Sequence, residues 1–403
     1  MPALPDWLKV VQGGVDVVPG YLSGAASVGL KSEGPDLALL LSERLAAAAM
    51  VATTNLFRAA PVEVTTRHLA SGRAQAIVVN SGNANACTGP QGVLDAEEMC
   101  AVAGRALRVP QECVAVASTG VIGVPLPMDR IREGIHAAAV RMGKNASEAA
   151  LAIMTTDTFP KQVTVRYETG KGAITIAGMA KGAAMIAPQM ATMLCFLFTD
   201  AALTPEALSL ALRGAVELSF NSITVEGDTS TNDLALLLAN GVSGGEEPDA
   251  EEIRRFGAAL RYVCLELAKM IVRDAEGATK VIEVQVRRAP SAREAKQAAL
   301  AVANSVLVKT ALFGADPNWG RVAAALGRSG AQFDPGRVTI RLNQTTVFQA
   351  GRAAGFDRDA LNQELQGAEV TVFIDLGAGS AEATVWTSDL TTEYVNLNAH
   401  YTT

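Results

Sequence analysis

The sequence predicts a layered α/β fold, because short apolar runs typical of strands alternate with longer segments of helical periodicity along the chain. Apolar residues make up 49% of the 403 residues, which is ample for two α/β cores. Charged residues at 19% and aromatic residues at 5% exclude a disordered chain and a coiled coil. We expect a main domain over residues 1–240 and a second α/β domain over residues 241–403, whose C-terminal tail returns to the active site. The Gly-rich polar connection at 241–249 is interpreted as a surface loop.

In the first domain, apolar runs that end in polar or Gly-rich turns predict strands at 74–79, 114–117, 173–177 and 195–198. Helical periodicity predicts helices at 94–107 and 128–142, with Asp95 and Asp129 as N-caps. The longest apolar stretch, 37–51, is interrupted by Ser42, Glu43 and Arg44, so we interpret it as a buried helix and not as a membrane span.

The second half is predicted to begin with a helix at Pro205. Thr204 is a residue type that caps helices, and proline is common in the first turn that follows a cap. Further helices are predicted at 250–273, 292–305 and 357–365, and strands at 281–286, 338–342, 370–375 and 383–386. Residues 394–398 are interpreted as a last strand. Residues 377–380 lack the third glycine of a dinucleotide fingerprint and are interpreted as a hairpin loop.

Charge and cysteine content exclude several classes of protein. A net charge of -7 is unsuited to nucleic acid or an anionic membrane as the main partner. The first 14 residues lack a secretory pattern, so a cytoplasmic location is expected. The five cysteines are scattered without a CxxC pair and are expected to be reduced. Three histidines leave little material for a zinc site or a Ser-His-Asp triad.

The segment at 181–192, Lys-Gly-Ala-Ala-Met-Ile-Ala-Pro-Gln-Met-Ala-Thr, is interpreted as a loop near strand ends. A threonine hydroxyl is a weak nucleophile that needs a base, and no histidine is near in the sequence. Cleavage before Thr192 would supply one, because a free α-amine with a pKa of about 8 can accept a proton at neutral pH. From the pattern alone, a threonine in an ordinary turn is the more common interpretation.

This segment resembles the self-cleavage motif of the ornithine acetyltransferase family, and further blocks resemble that family in the same order over essentially the whole chain. The other blocks are Asn-Ser-Gly-Asn-Ala-Asn at 80–85, Ser-Thr-Gly-Val-Ile-Gly at 118–123, Thr-Thr-Asp-Thr at 155–158, Glu-Gly-Asp-Thr-Ser-Thr-Asn-Asp at 226–233, Glu-Gly-Ala-Thr-Lys at 276–280, Asp-Pro-Asn-Trp-Gly-Arg at 316–321 and residues 398–403.

The resemblance implies a precursor that cuts itself between Ala191 and Thr192 into chains 1–191 and 192–403, which assemble as a heterotetramer of two copies of each. Thr192 would then carry acetyl in a ping-pong transfer from N-acetylornithine to glutamate in arginine biosynthesis, without a metal or cofactor. The family leaves open whether acetyl-CoA is a second donor. The oxyanion hole maps to Thr119 and Gly120, at the end of the strand at 114–117. Substrate-binding positions map to Thr158, Lys181, Thr192, Glu276, Asn398 and Thr403.

Three positions depart from the family pattern: Ala184 and Ala275 stand where glycine is usual, and Gln189 where asparagine is common. Two other functions stay open at this point, a self-cleaving aminopeptidase or amidase of similar fold and an uncleaved amino-acid-binding protein. The carboxylates Glu226, Asp228 and Asp233 could hold a hard cation. Their glycine, serine and asparagine neighbours fit a self-bonded turn at least as well.

Overall fold

The computed structural model describes residues 4–170, 172–187, 193–243 and 249–400. In these residues the strands form two sheets, and helices pack on both. The strands of the first sheet are β1 (Leu8–Val10), β2 (Tyr21–Ala26), β3 (Leu37–Ala52), β4 (Arg73–Asn83), β5 (Val114–Val121), β6 (Lys161–Thr169), β7 (Gly172–Lys181), β8 (Leu194–Thr199) and β9 (Leu234–Ala239). The strands of the second are β10 (Val281–Ala289), β11 (Thr339–Leu342), β12 (Thr345–Gln349), β13 (Arg352–Ala353), β14 (Glu369–Asp375) and β15 (Ala381–Ser388).

Eleven α-helices occur in the described residues. They are α1 (Ala60–His68), α2 (Gly89–Leu107), α3 (Met128–Val140), α4 (Ala146–Ala152), α5 (Pro205–Glu217), α6 (Ala250–Arg273), α7 (Ala292–Ala303), α8 (Val306–Phe313), α9 (Trp319–Gly327), α10 (Arg358–Glu364) and α11 (Thr392–His400). None of the described helices is both long enough and apolar enough to cross a membrane.

The first sheet folds over on itself into two layers. Its strand order is β1-β6-β7-β8-β9-β3-β4-β5, and β2 pairs with the N-terminal part of β3. One apolar core joins Ile77 of β4 to Phe196 of β8, so the two halves of the sheet face each other. The outer face of one half packs under α1, α2 and α3, and that of the other half under α5 and α6. The result is the predicted layered α/β architecture, with four layers in the order helix, sheet, sheet, helix.

The apolar stretch at 37–51 is strand β3, so the prediction of a buried helix is wrong. Leu37 and Leu39 face the core under the outer helices, whereas Ala38 and Leu40 face the core between the two layers. A central strand buried on both faces is apolar at every position, which removes the alternation that identifies a strand. The polar residues 42–44 fall at a register shift between Leu41 and Ala46.

The second sheet has the order β13-β12-β11-β14-β10-β15, with α7, α9 and α10 covering one face. Strands β14 and β15 both pair with β10 and not with each other, so residues 377–380 are not a hairpin loop. The predicted helix at 250–273 is α6, which packs on the first sheet. The division of the chain at residue 240 stays a prediction.

Three local predictions are wrong for identifiable reasons. Residues 394–398 lie in helix α11, whose first turn is capped by the Thr391 hydroxyl accepting from the Tyr394 N–H at 3.0 Å. Asp95 lies inside α2, which begins at Gly89, and it accepts from the Gln91 side chain at 2.8 Å. Asp129 lies in the first turn of α3, after an N-cap position occupied by Pro127. The Thr204 cap is confirmed, because its hydroxyl accepts from the Ala207 N–H.

Candidate active site

A cavity of about 470 Å³ lies where the ends of β5 and β7 meet the turn after α6 and the helix α11. This volume suits a small-molecule substrate. The predicted site residues that line it are Thr119, Gly120, Thr158, Lys181, Glu276 and Asn398. The structure therefore brings together residues that are up to 279 positions apart in the chain, counted from Thr119 to Asn398. Ala191, Thr192 and Thr403 lie outside the described residues.

The Thr119–Gly120 pair lies where β5 runs beside β4. Gly120 has a φ of 132°, and a β-carbon there would lie 2.3 Å from the carbonyl carbon of Gly82. Only glycine allows this approach of the two strands. Thr119 is buried, and its hydroxyl accepts from the Lys181 ammonium at 3.4 Å. A hydroxyl, a glycine and a buried cation thus meet at one end of the cavity.

Lys181 is the last residue of β7 and pairs with Leu194, the first residue of β8. Burial lowers the pKa of the Lys181 ammonium, although the nearby Asp157 carboxylate acts to raise it. Next to Leu194, the Met193 N–H donates to the Asp233 side chain at 3.1 Å. Burial also raises the pKa of Asp233 well above its usual range. The residues that flank the predicted cleavage segment therefore lie in a buried, charged environment.

The loop at 182–187, which leads from β7 towards that segment, is held at both of its ends. The Ile186 N–H donates to the Glu226 carboxylate at 2.9 Å, and the Ile186 carbonyl accepts from the Val225 N–H at 2.8 Å. Nearer to β7, the Ala183 carbonyl accepts from the Glu276 N–H at 3.0 Å. These contacts fix the loop against the block at 226–233 and against the turn that carries Glu276.

The C-terminal helix α11 is tied to the cavity. The Asn398 amide donates to the Glu276 carboxylate at 2.9 Å, and the Thr391 hydroxyl donates to the Gly277 carbonyl at 2.7 Å. Gly277 has a φ of 67°, and a β-carbon there would lie 2.6 Å from the Tyr394 nitrogen. These contacts hold α11 against the turn that carries Glu276.

A buried charge network lies behind the cavity wall. The Lys161 ammonium, which is 0% exposed, pairs with Asp157 at 2.6 Å and also with Asp274. Asp157 accepts from the Gly182 N–H at 2.7 Å, next to Lys181. Asp274 accepts from both the N–H and the hydroxyl of Thr158. One lysine thus links three segments that each carry a predicted site residue.

Sequence patterns did not predict that Lys161 and Asp274 lie in a buried network behind the cavity. Asp157 belongs to the Thr-Thr-Asp-Thr block and could have been chosen as the charged residue within it. Lys161 begins a strand and gives no signal, because a single lysine at a strand start is ordinary. Its role depends on a partner 113 residues away. In the described residues no group of three His, Cys, Asp or Glu side chains is arranged to hold a metal ion.

We expect Glu226→Gln to change how stability depends on pH. Burial raises the pKa of Glu226 to about 7. A carboxyl with a raised pKa in the folded state makes its full contribution to stability below about pH 4.5 and loses it as the pH rises through 7. The glutamine stays neutral, so the variant should gain up to roughly 3 kcal/mol relative to the parent over that window. Urea unfolding at a series of pH values measures the difference, and parallel curves would contradict the prediction.

Comparison with known proteins places the sequence among enzymes of arginine biosynthesis. A model of the ArgJ family matches residues 22–403. The chain is 52% identical to the arginine biosynthesis bifunctional protein ArgJ of Symbiobacterium thermophilum, over 99% of this chain and 100% of that protein. It is 48% identical to the protein of the same name from Geobacter sulfurreducens, over 96% of this chain and 100% of that protein. A solved ornithine acetyltransferase complexed with ornithine, from Mycobacterium tuberculosis, is 38% identical, covering 46% of this chain and 100% of that one, with a TM-score of 0.43.

Proposed function

The chain belongs to the ArgJ family, and from that premise we propose that it transfers an acetyl group from N2-acetyl-L-ornithine to L-glutamate in arginine biosynthesis. It is therefore an acetyltransferase. The observation that carries the proposal to this chain is the cavity of about 470 Å³, which is lined by all the predicted site residues that the structure describes. Such convergence of polar groups in one pocket is typical of a binding site for a small substrate.

The proposed maturation step is cleavage between Ala191 and Thr192. The Thr192 Oγ attacks the Ala191 carbonyl carbon, and the amide nitrogen leaves it, so that an ester joins the two parts. The proton of the hydroxyl passes to that nitrogen, which becomes the free α-amine of Thr192. Water then hydrolyses the ester, which leaves a carboxylate at Ala191 and restores the Thr192 hydroxyl. The buried setting of the flanking residues supports this proposal, because water exclusion strengthens the polar interactions that stabilise the intermediate.

In the proposed transfer, the Thr192 amine takes the proton from its own hydroxyl as the oxygen attacks acetylornithine. Acetyl-threonine forms and ornithine leaves with the proton. Glutamate then enters, and its amine attacks the acetyl carbonyl to give acetylglutamate and free Thr192. The buried Lys181 ammonium would lower the pKa of the Thr192 amine, because a positive charge nearby disfavours protonation of the amine.

The remaining roles follow from charge and position. Thr119 and Gly120 form the proposed oxyanion hole, where the loss of one donor typically costs about 3–4 kcal/mol in the barrier. Lys181 binds a substrate carboxylate, and Glu276 binds the ornithine ammonium. Thr158, Asn398 and Thr403 complete the substrate contacts. We include in the proposal a cytoplasmic heterotetramer of two cleaved copies, and an assay with acetyl-CoA as sole donor decides whether it is a second substrate.

Steady-state kinetics and a half-reaction test the proposal together. Acetylornithine alone should release ornithine in a burst of about one equivalent per active site, because acetyl-threonine accumulates when glutamate is absent. Varying both substrates should give parallel double-reciprocal lines. Steady release of acetate without glutamate would instead identify an amidase. Binding of acetylornithine without a burst would identify a binding protein.

A further inference from the structure

The proposed transfer needs a second proton carrier besides the Thr192 amine. Acetylornithine enters with one hydrogen on its amide nitrogen, and ornithine leaves with three on the same nitrogen, as an ammonium. The Thr192 hydroxyl supplies only one of the two added protons. Glutamate then enters as an ammonium, which must lose a proton before its nitrogen can attack. The amine holds one proton at a time, the one that moves between the substrate nitrogen and Oγ, so another group must give a proton first and take one back later.

Glu226 is a carboxyl group in the cavity wall with one oxygen that no described residue contacts by a hydrogen bond. Its Oε2 accepts from the Ile186 N–H at 2.9 Å, which fixes the side chain against the loop that leads towards Thr192. Its Oε1 is the buried oxygen without a partner among the described residues. Buried polar atoms normally have a partner, and an exception in a cavity wall is typical of a group that acts on a substrate.

The groups around Glu226 keep both of its protonation states accessible. Burial raises its pKa to about 7, and the Lys309 ammonium of α8 acts to lower it, whereas Glu276 acts to raise it. Tyr394 of α11 and Asp228 are the other titratable groups close by. Burial raises the pKa of Tyr394 to about 12, so this phenol is neutral. A group that both gives and takes a proton works best when its pKa is near the working pH.

We propose that Glu226 is the second proton carrier of the acetyl transfer, a role that rests on the proposed function. In the first half-reaction the C–N bond of acetylornithine breaks, a C–O bond to Thr192 forms, and the Glu226 carboxyl gives its proton to the departing nitrogen. In the second, the Glu226 carboxylate takes one proton from the ammonium of glutamate. The neutral nitrogen then forms the new C–N bond, the C–O bond breaks, and the next proton passes through the Thr192 amine to Oγ. Both carriers end as they began.

Lys309 is a positioning residue for this role. Its side chain is buried, and its ammonium donates to the carbonyl of Val225, next to Glu226. The positive charge favours the carboxylate, the form that must accept a proton from glutamate. Lys309→Met removes the charge and should raise the pKa of Glu226. The acidic limb of the pH profile for discharge to glutamate should then move to higher pH by about one pH unit, and an unmoved limb would overturn the proposal.

Two acceptors distinguish proton transfer from a structural role. The acetyl-enzyme is formed with acetylornithine, freed of ornithine by rapid gel filtration and mixed with glutamate or with hydroxylamine. Hydroxylamine is a neutral amine at pH 7, so it has no extra proton to lose. Glu226→Gln keeps the shape, and its carbonyl can still accept from the Ile186 N–H. It should slow discharge to glutamate by about 10²-fold to 10⁴-fold and discharge to hydroxylamine by less than about threefold.

The control is Asp228→Asn, which removes an exposed carboxylate from the same cavity and should change both rates by less than about twofold. If it slowed glutamate alone as Glu226→Gln does, negative charge and not proton transfer would be the cause. Equal slowing with both acceptors in Glu226→Gln, or no slowing, would also overturn the proposal. If Glu226→Gln stayed uncut, the pH profile of Lys309→Met would decide. A parent that never holds acetyl on chain 192–403 would overturn the proposed function, and this role with it.

Discussion

Replacing Thr192 with alanine should leave the protein as one uncut chain of 41.8 kDa that transfers no acetyl. The substitution removes the hydroxyl that would attack the Ala191 carbonyl and, later, the acetyl donor. Without cleavage the α-amine stays locked in an amide and cannot accept a proton. Loss of a nucleophile that acts with its own base typically lowers kcat by several orders of magnitude. We expect a loss of at least about 10⁴-fold, measured by intact mass spectrometry and by formation of acetylglutamate.

Two further variants distinguish loss of the nucleophile from a general disturbance of the folded structure. Thr192→Ser keeps a hydroxyl and should still cut into chains 1–191 and 192–403, whereas Thr156→Ala removes another cavity hydroxyl and should cut fully. An uncut parent protein would remove the free amine on which the mechanism depends. In that case Ala184, which lines the cavity and stands where the resemblance leads us to expect glycine, is the first position to replace with glycine. Cleavage of the alanine variant would mean that another group attacks.

The sequence predicts best those helices and strands that bury only one face. The helix predicted at 250–273 has both ends as observed, because its apolar residues recur on one side of the helix. Strand β3 was not predicted. Both of its faces are buried only because the sheet folds over itself, and the spacing of apolar residues in the sequence does not show that. Apolar and polar residues alternate in the α11 segment, which is typical of a strand. The segment is nevertheless a helix, which is stabilised by its cap and by its contact with Gly277.

The site was accessible from the sequence only through resemblance. Gly120 is required by a contact with β4, and a glycine at a strand end has many ordinary explanations. Glu276 and Asn398 meet across 122 positions, a pairing that no local pattern contains. The described residues that the motif blocks predict for the site all line the cavity, and their roles stay predictions. The motif blocks did not give Lys161, because a residue that acts through Asp157 and Asp274 has no chemical signature of its own.

Lys161→Met should lower the free energy of unfolding by about 3–5 kcal/mol, because it leaves two buried carboxylates without their shared cation. The side chains of Asp157 and Asp274 are 0% and 2% exposed, so water cannot replace the lysine. The matched control is Lys296→Met, whose partner Glu217 is 56% exposed and whose loss should cost at most about 1 kcal/mol. Urea unfolding at neutral pH measures both, and equal losses in the two variants would contradict the prediction.

A triple variant separates the stability of the network from its function. Adding Asp157→Asn and Asp274→Asn to Lys161→Met removes the uncompensated charges and should recover much of the lost free energy of unfolding. Transfer should not recover with it, because a neutral amide accepts more weakly than a carboxylate from Thr158 and from the Gly182 N–H. If stability and transfer returned together, the network would serve the fold alone. If stability returned without transfer, the role of Lys161 would be to position Thr158, Lys181 and Glu276. The protein would then keep buried charges whose desolvation costs free energy that uncharged side chains would not cost.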